Sequence, residues 1–181
     1  MAFIRYTLLL AATIIVLSQA VPVSADVLCF SPDDSAIFSF DPFPVHVTVD
    51  GIDSIMGYDI SVSITGDQCV KIMGIVEGTL PGSNGDPTFF RWLTPWEPDS
   101  ICVNGSVLGT VVDGPGTLFT IYLQALQPGT AWLDFTYSEL RDGLNRSIPH
   151  DADCRARIIV LEAIAVDESS WGAVKSVFRG R

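Results

Sequence analysis

Residues 58–64 read YDISVSI, with an apolar side chain at every second position. Shortly before them, residues 45–50 read VHVTVD and follow the same two-residue period. Successive side chains of a β-strand point to opposite faces, so this alternation predicts strands that have one buried and one exposed face. The valines of VHVTVD then point inward. In YDISVSI the exposed face carries Asp59, Ser61 and Ser63.

The rest of the chain continues in short β-prone runs separated by glycine, proline, asparagine and aspartate. No helical period appears before the last dozen residues. Further strands are predicted over residues 27–30, 70–76, 88–93, 101–108, 118–126, 131–140 and 154–161, and residues 35–40 are a candidate for one more short strand. About nine short strands without an internal repeat predict a single all-β domain, an antiparallel β-sandwich.

The first 25 residues have the features of a secretory signal peptide. Arg5 precedes an apolar run at residues 8–17, and Val23-Ser24-Ala25 is a small-residue cleavage sequence. The apolar run is short for a membrane span, and the longest later run, residues 158–166, is interrupted by Glu162. We therefore expect an exported protein, secreted or held at the cell surface, with no transmembrane segment after signal removal.

Composition excludes some classes of function. The formal net charge is −11, so the phosphate backbone of a nucleic acid would be repelled. The two histidines, His46 and His150, fall on an exposed strand face and in a loop, and no nucleophile elbow, zinc-protease motif or phosphate loop occurs. The sequence therefore predicts a non-catalytic protein; a hydrolase without a recognisable motif is the remote alternative.

The four cysteines lie after the predicted signal peptide, at Cys29, Cys69, Cys102 and Cys154. An even number in an exported chain predicts two structural disulfides, and four cysteines allow three pairings. Their wide, irregular spacing does not fit a zinc site.

Acidic turns are the candidates for a calcium site, since Ca²⁺ prefers carboxylate and carbonyl oxygens. The pairs are Asp33 with Asp34, Asp50 with Asp53, Asp142 with Asn145, and Asp151 with Asp153. None follows the order of an EF-hand loop, so we interpret them as solvated turns and predict no cofactor.

The densest aromatic segment is residues 89–96, FFRWLTPW. Strand alternation places Phe89, Arg91 and Leu93 on one face and Phe90 and Trp92 on the other. Aromatic side chains stack on sugars and anchor protein partners, so Phe90, Trp92 and Trp96 form a candidate carbohydrate patch. Ordinary packing under a neighbouring loop is the alternative.

The run at residues 131–140 predicts a second exposed aromatic side chain. If Leu133, Phe135 and Tyr137 point inward, the residues between them point outward. This outward set is Trp132, Asp134 and Thr136.

The order of these features resembles the cohesin family, β-sandwich modules that bind dockerins in cellulosomes and also occur in other bacterial surface proteins. The similar pieces are residues 45–52, 57–60, 72–78, 114–121 (GPGTLFTI) and 141–149. The resemblance implies a jelly-roll sandwich over residues 26–161 and a dockerin, or a related protein, docked on one sheet face.

On this template the predicted partner-binding face combines Asp59, Ser61 and Ser63 with Trp132, Asp134 and Thr136. Asp59 matches an acidic position that contacts dockerin in several cohesins. The sequence departs from the family where Gly57 replaces the usual Asn and where residues 66–68 replace an Asp-Pro. Polysaccharide binding through the aromatic patch is the alternative function, and either places the protein in polysaccharide-related machinery.

The resemblance also suggests a disulfide pairing. The first and last strands of such a sandwich lie side by side, so we predict that Cys29 bridges Cys154, which leaves Cys69 with Cys102.

Residues 162–181 form a separate tail. Ser169 and Ser170 are suited to cap a short amphipathic helix that has a basic C-terminal end. Trp171, Val174 and Phe178 line its apolar face as docking residues. The tail either packs on the sandwich or binds a partner, and its basic end favours an acidic partner surface.

Overall fold

A computed structural model describes residues 26–37, 41–94 and 99–162. The regular secondary structure in these ranges consists of β-strands alone, which confirms the all-β prediction. The strands are β1 Val27–Ser31, β2 Asp34–Ile37, β3 Phe43–Asp50, β4 Gly57–Gly66, β5 Val70–Glu77, β6 Thr88–Leu93, β7 Ser100–Val107, β8 Gly116–Ala125, β9 Gly129–Arg141, β10 Ser147–Ile148 and β11 Arg155–Val160. The eleven strands comprise the nine predicted ones, the candidate short strand near residues 35–40, which is β2, and β10, which has only two residues and no sequence pattern of its own.

The strands form two sheets. The first sheet has the order β1-β3-β8-β5, and the second has the order β2-β11-β9-β4-β7-β6, with β10 paired to β9. Strands pair antiparallel throughout, except that β2 runs parallel to β11. The domain is therefore a two-layer sandwich.

The core lies between the sheets and is built from the apolar half of each alternating strand. Val45, Val47 and Val49 of β3 are at most 1% exposed, as their alternation predicts. Phe30 and Phe135 belong to opposite sheets, and their rings stack with centroids 4.1 Å apart. Apolar burial of this kind is the main stabilisation of a sandwich.

A β-bulge in β9 was not predicted. Tyr137 and Phe135 pair with consecutive residues of β4, so Thr136 is the extra residue. The bulge reverses the alternation that follows it. Tyr137, predicted to point inward, points outward and is 48% exposed, whereas Leu140 is fully buried.

Cys29 and Cys154 form the predicted disulfide, with Cα atoms 5.1 Å apart. Cys29 lies on β1 of the first sheet, and Cys154 immediately precedes β11 of the second sheet. The bond therefore joins the two sheets at the side of the sandwich, rather than two neighbouring strands of one sheet.

The predicted disulfide between Cys69 and Cys102 is wrong, because both residues are free thiols. Cys69 is buried in the core just before β5. Cys102 faces the outer side of the second sheet, and its Sγ lies 3.2 Å from Oγ of Ser61. The second sheet separates the two sulfur atoms, so no rotamer change can join them.

The predicted signal peptide, and nearly all of the tail with Trp171, Val174 and Phe178, lie outside the described residues. Within residues 26–37, 41–94 and 99–162, no helix is long and apolar enough to span a membrane.

Candidate functional site

The outer face of the second sheet carries small side chains along two neighbouring strands, β4 and β7. On β4 these are Gly57, Asp59, Ser61 and Ser63, and on β7 they are Ser100, Cys102, Asn104 and Ser106. The inward residues between them, such as Ile60 and Val103, are fully buried. Alternation in two neighbouring strands thus produces a low, mostly uncharged floor.

Larger side chains flank this floor on both sides. Phe89, Arg91 and Leu93 stand on edge strand β6, and Tyr137, Glu139 and Arg141 stand on β9. We call the floor and these six flanking residues the trough. Strands lie about 4.8 Å apart, so the two walls are about 14 Å apart.

Charge in the trough is arranged around Asp59. Its cross-strand neighbours are Asn104 on β7 and Glu139 on β9. Glu139 accepts hydrogen bonds from Tyr137 Oη at 2.8 Å and Arg141 Nη2 at 2.7 Å. These bonds hold the pKa of Glu139 below its ordinary value, the Tyr137 bond contributing most. The side chain of Asp59 has no such partner among the described residues, so it is the uncompensated carboxylate of the trough.

One end of the trough deepens into a cavity of about 480 Å³. It lies where β4 begins and where β7 and β9 end. Two loops close it, the first through Leu108 and Gly109 and the second through residues 142–145. Gly57, Asp59, Gly105 and Arg141 are among its lining residues.

The structure brings together three of the six predicted face residues, Asp59, Ser61 and Ser63, on the floor of the trough. Asp134 lies next to Ser63 on the same sheet. Thr136 is the exposed bulge residue. All six residues therefore lie on the same sheet, and their binding role stays a prediction.

Trp132 lies on the same outer face but is covered. The guanidinium carbon of Arg155 lies 4.7 Å from the ring centroid, and that of Arg157 lies 5.9 Å from it. Arg155 also pairs with Asp134, and Arg157 pairs with Asp34. Trp132 is half-buried beneath these arginines, so it does not present the open ring that alternation alone predicted.

The predicted aromatic patch requires a correction. Phe90 packs against the core, because it belongs to the inward-facing set of β6. Trp92 shares that side and is 38% exposed at the sheet edge, while Trp96 lies outside the described residues. The exposed aromatic side chains of the trough are instead Phe89, at 49%, and Tyr137, at 48%.

Two of the acidic turns considered as candidate calcium sites contain an aspartate that forms an ion pair with an arginine. Asp34 pairs with Arg157, and Asp142 pairs with Arg146 at 2.6 Å and accepts two backbone N–H groups. In the part of the chain that the structure describes, no three His, Cys, Asp or Glu side chains come together as metal ligands.

The two histidines have structural partners. His46 Nδ1 lies 2.9 Å from Thr120 Oγ1 on the outer face of the first sheet. His150 Nε2 lies 2.9 Å from Ser138 Oγ, and its Nδ1 lies 2.8 Å from the carbonyl oxygen of Ile148. Neither residue is part of the trough.

No protein-family model matches the sequence, and no curated protein matches it either. Solved structures do match the fold. A non-cellulosomal cohesin from Archaeoglobus fulgidus superposes with a TM-score of 0.60 at 14% identity, covering 82% of this chain and 96% of the cohesin. CaCohA2 from Clostridium acetobutylicum gives a TM-score of 0.59 at 18% identity, covering 78% of this chain and 94% of that protein.

A third structure holds a partner. The sixth cohesin of scaffoldin B from Acetivibrio cellulolyticus, in complex with a mutant Cel5 dockerin, gives a TM-score of 0.61 at 11% identity. The match covers 76% of this chain and 99% of that cohesin. At such low identities the likeness concerns the fold, and the described part of this chain has the fold of a cohesin module.

Proposed function

We propose that this domain is a secreted, non-catalytic interaction module that presents the trough to a protein partner. The observation that most supports this proposal is the shape of the trough. Its floor of small side chains is two strands wide and lies between walls about 14 Å apart. An α-helix with its side chains is about 10–12 Å in diameter, so it fits between the walls along the strands.

A dockerin is the partner that this fold suggests. The Acetivibrio cellulolyticus cohesin described above was solved with one. In this chain the trough offers a helix both wall contacts, through Phe89 and Tyr137, and polar floor contacts, through Asp59 and Asn104. We propose that the module works in cell-surface or polysaccharide-related machinery.

Two observations support export of the protein. The first 25 residues predict a signal peptide. The Cys29–Cys154 disulfide is of the kind that persists in oxidising compartments.

Carbohydrate binding is the second candidate, and Phe89 and Tyr137 are the exposed rings that favour it. They stand on opposite walls with β7 and β4 between them, rather than side by side as a flat platform for a sugar chain. The protein partner is therefore the preferred proposal.

The test is to measure binding of the full mature chain to a panel of dockerins and, in parallel, to soluble polysaccharides by biolayer interferometry. Ser61→Arg places a long side chain on the trough floor and should abolish dockerin binding. Met73→Arg is the control, because Met73 is 49% exposed on the opposite sheet.

Dockerin binding that survives Ser61→Arg would exclude the trough as the docking surface. Binding to a polysaccharide that is lost in both Phe89→Ala and Tyr137→Ala would establish the carbohydrate alternative instead.

A further inference from the structure

The cavity at the end of the trough is left open at Gly57, which has no side chain to fill it. Gly57 opens β4, and a Cβ built there would lie 3.5 Å from the carbonyl oxygen of Gly105, an ordinary contact. A side chain at position 57 would therefore occupy the cavity rather than the core. Gly105 is glycine for another reason, since its Cβ would lie 2.2 Å from the ring of Tyr58.

Apolar groups make up part of the cavity wall. Leu108, which is 59% exposed, and Met56 both line it. A Cβ built at Gly143, in the opposite loop, would lie 3.9 Å from the sulfur atom of Met56. These groups suit the methylene stem of a long side chain.

The charged groups around the cavity are satisfied, with one exception. Arg141 is committed to Glu139 and donates to the carbonyl and side-chain oxygens of Asn145 at 3.3 and 3.4 Å. Asp142 is committed to Arg146. Asp59 has no hydrogen-bond or ion-pair partner within the described ranges, so it is the carboxylate of the cavity that no cation of this chain neutralises.

We propose that this cavity is a pocket for a lysine or arginine side chain of the protein partner, with the stem on Met56 and Leu108 and the cationic head on Asp59. This inference rests on the proposed function and names the anchor of the partner. An acidic side chain would meet Asp59 and Glu139, and the nearby Arg141 is already paired. A wholly apolar side chain would desolvate the Asp59 carboxylate without replacing its water.

The experiment uses small probes, so it does not depend on knowing the partner. N-acetyl-arginine methylamide and N-acetyl-lysine methylamide are titrated into the ¹⁵N-labelled mature chain, with N-acetyl-norleucine methylamide and N-acetyl-glutamate methylamide as comparison probes. Saturable amide shifts are expected at Gly57, Ser106, Gly109 and Gly143 with the two basic probes. Norleucine should bind about tenfold more weakly, because it lacks the charge-assisted bond, and glutamate should not bind.

Variants assign the two halves of the pocket. Gly57→Ala should weaken binding of the basic probes, and the larger Gly57→Val should abolish it. Gly74→Ala and Gly74→Val are the matched controls, because a Cβ at Gly74 meets nothing within 4 Å and lies on the opposite sheet. The amide spectrum shows whether each variant is folded. If Gly57→Val does not fold, the binding measured for Gly57→Ala tests the pocket.

Asp59→Asn should weaken the basic probes to the level of norleucine, and Asp50→Asn, an exposed acid on β3, should leave them unchanged. Glutamate binding as tight as arginine binding, or arginine shifts that persist in Gly57→Ala and Asp59→Asn, would overturn the pocket. If the probes fail while Ser61→Arg still abolishes dockerin binding, only the pocket is wrong. If the probes bind and no protein partner depends on Ser61, the proposed function is wrong.

Discussion

The two free thiols have opposite environments. Cys69 is buried in the core, and burial raises the pKa of its thiol, with a further contribution from the Asp67 carboxylate. Cys102 lies half-exposed on the trough floor beside Ser61. Because a thiol must be reached by the reagent in order to react, Cys102 is the accessible thiol of the two.

We therefore predict that N-ethylmaleimide labels native protein once, at Cys102, and labels Cys69 only after unfolding. Peptide mapping by mass spectrometry under non-reducing conditions measures this. The label stands in the trough, so it should also block dockerin binding, whereas a Cys102→Ser variant treated with the same reagent should still bind. Recovery of a peptide pair linked through Cys69 and Cys102 would contradict both the labelling prediction and the free thiols.

The two-residue period of the sequence is enough to identify the floor residues Asp59, Ser61 and Ser63, because it shows which side chains of a strand share a face. It did not identify Phe89 and Leu93 as wall residues. Both sets of β6 side chains are large, and an edge strand is exposed on either side, so its sequence does not say which set faces the core.

At the level of a single element, β9 shows how one residue changes the surface. The sequence of residues 131–140 fits a continuous alternation, and a bulge has no sequence signature of its own here. The inserted Thr136 turns Tyr137, Glu139 and Arg141 to the outer face, where they form one wall of the trough. Without the bulge the trough would lack this wall.

We predict that the domain tolerates deletion of Thr136. The deletion removes the extra residue and leaves Tyr137, Glu139 and Leu140 opposite the same residues of β4 and on the same faces. Urea unfolding should show a free energy of unfolding within about 1 kcal/mol of the parent value, and Thr136→Ala, which keeps the bulge, should change it by less than about 0.5 kcal/mol. Leu140→Ala, which truncates a fully buried side chain, should lower it by about 2–5 kcal/mol and shows that the assay detects loss of core packing at this end of β9. A deletion variant as unstable as Leu140→Ala would show that the bulge itself is needed for the fold.

For the molecule as a whole, the sequence predicted the sandwich because each strand carries its own alternation and turn residues. The resemblance predicted the Cys29–Cys154 bond correctly, but the predicted pairing of Cys69 with Cys102 was wrong. Four cysteines permit three pairings, and which of them form depends on the sheet that each strand joins. The Cys29–Cys154 bond connects residues 125 positions apart and ties one sheet to the other.

We predict that loss of this bond lowers the unfolding free energy by about 2–5 kcal/mol, because the crosslink restricts a long loop in the unfolded chain. The measurement is urea unfolding of a Cys29→Ser, Cys154→Ser double variant beside the parent chain. Cys102→Ser is the control and should match the parent. Dithiothreitol should destabilise the control, whose Cys29–Cys154 bond it reduces. It should leave the double variant unaffected, because that variant contains free thiols and no disulfide to reduce. An unchanged midpoint in the double variant would show that the bond does not limit stability.

The extent of the core leads to a prediction about the tail. The buried apolar cluster begins at Leu28 and ends at Val160, and β11 is the last described strand. Burying three side chains such as Trp171, Val174 and Phe178 yields about 5–8 kcal/mol, which ordering a dozen residues largely offsets. We therefore predict that truncation after Val166 shifts the melting temperature by less than about 2 °C, whereas truncation after Asp153, which removes β11, prevents folding.

The same truncation after Val166 should reduce retention of the protein at the surface of its source cell, because we assign the basic end of the tail to an acidic partner surface. Thermal melting of the purified chain and surface fractionation of the cells measure the two effects separately. Lys175→Glu with Arg179→Glu keeps the tail length and reverses its charge, so it should reproduce the loss of retention without changing the melting temperature. A large fall in melting temperature with retention unchanged would show instead that the tail packs on the sandwich as part of its core.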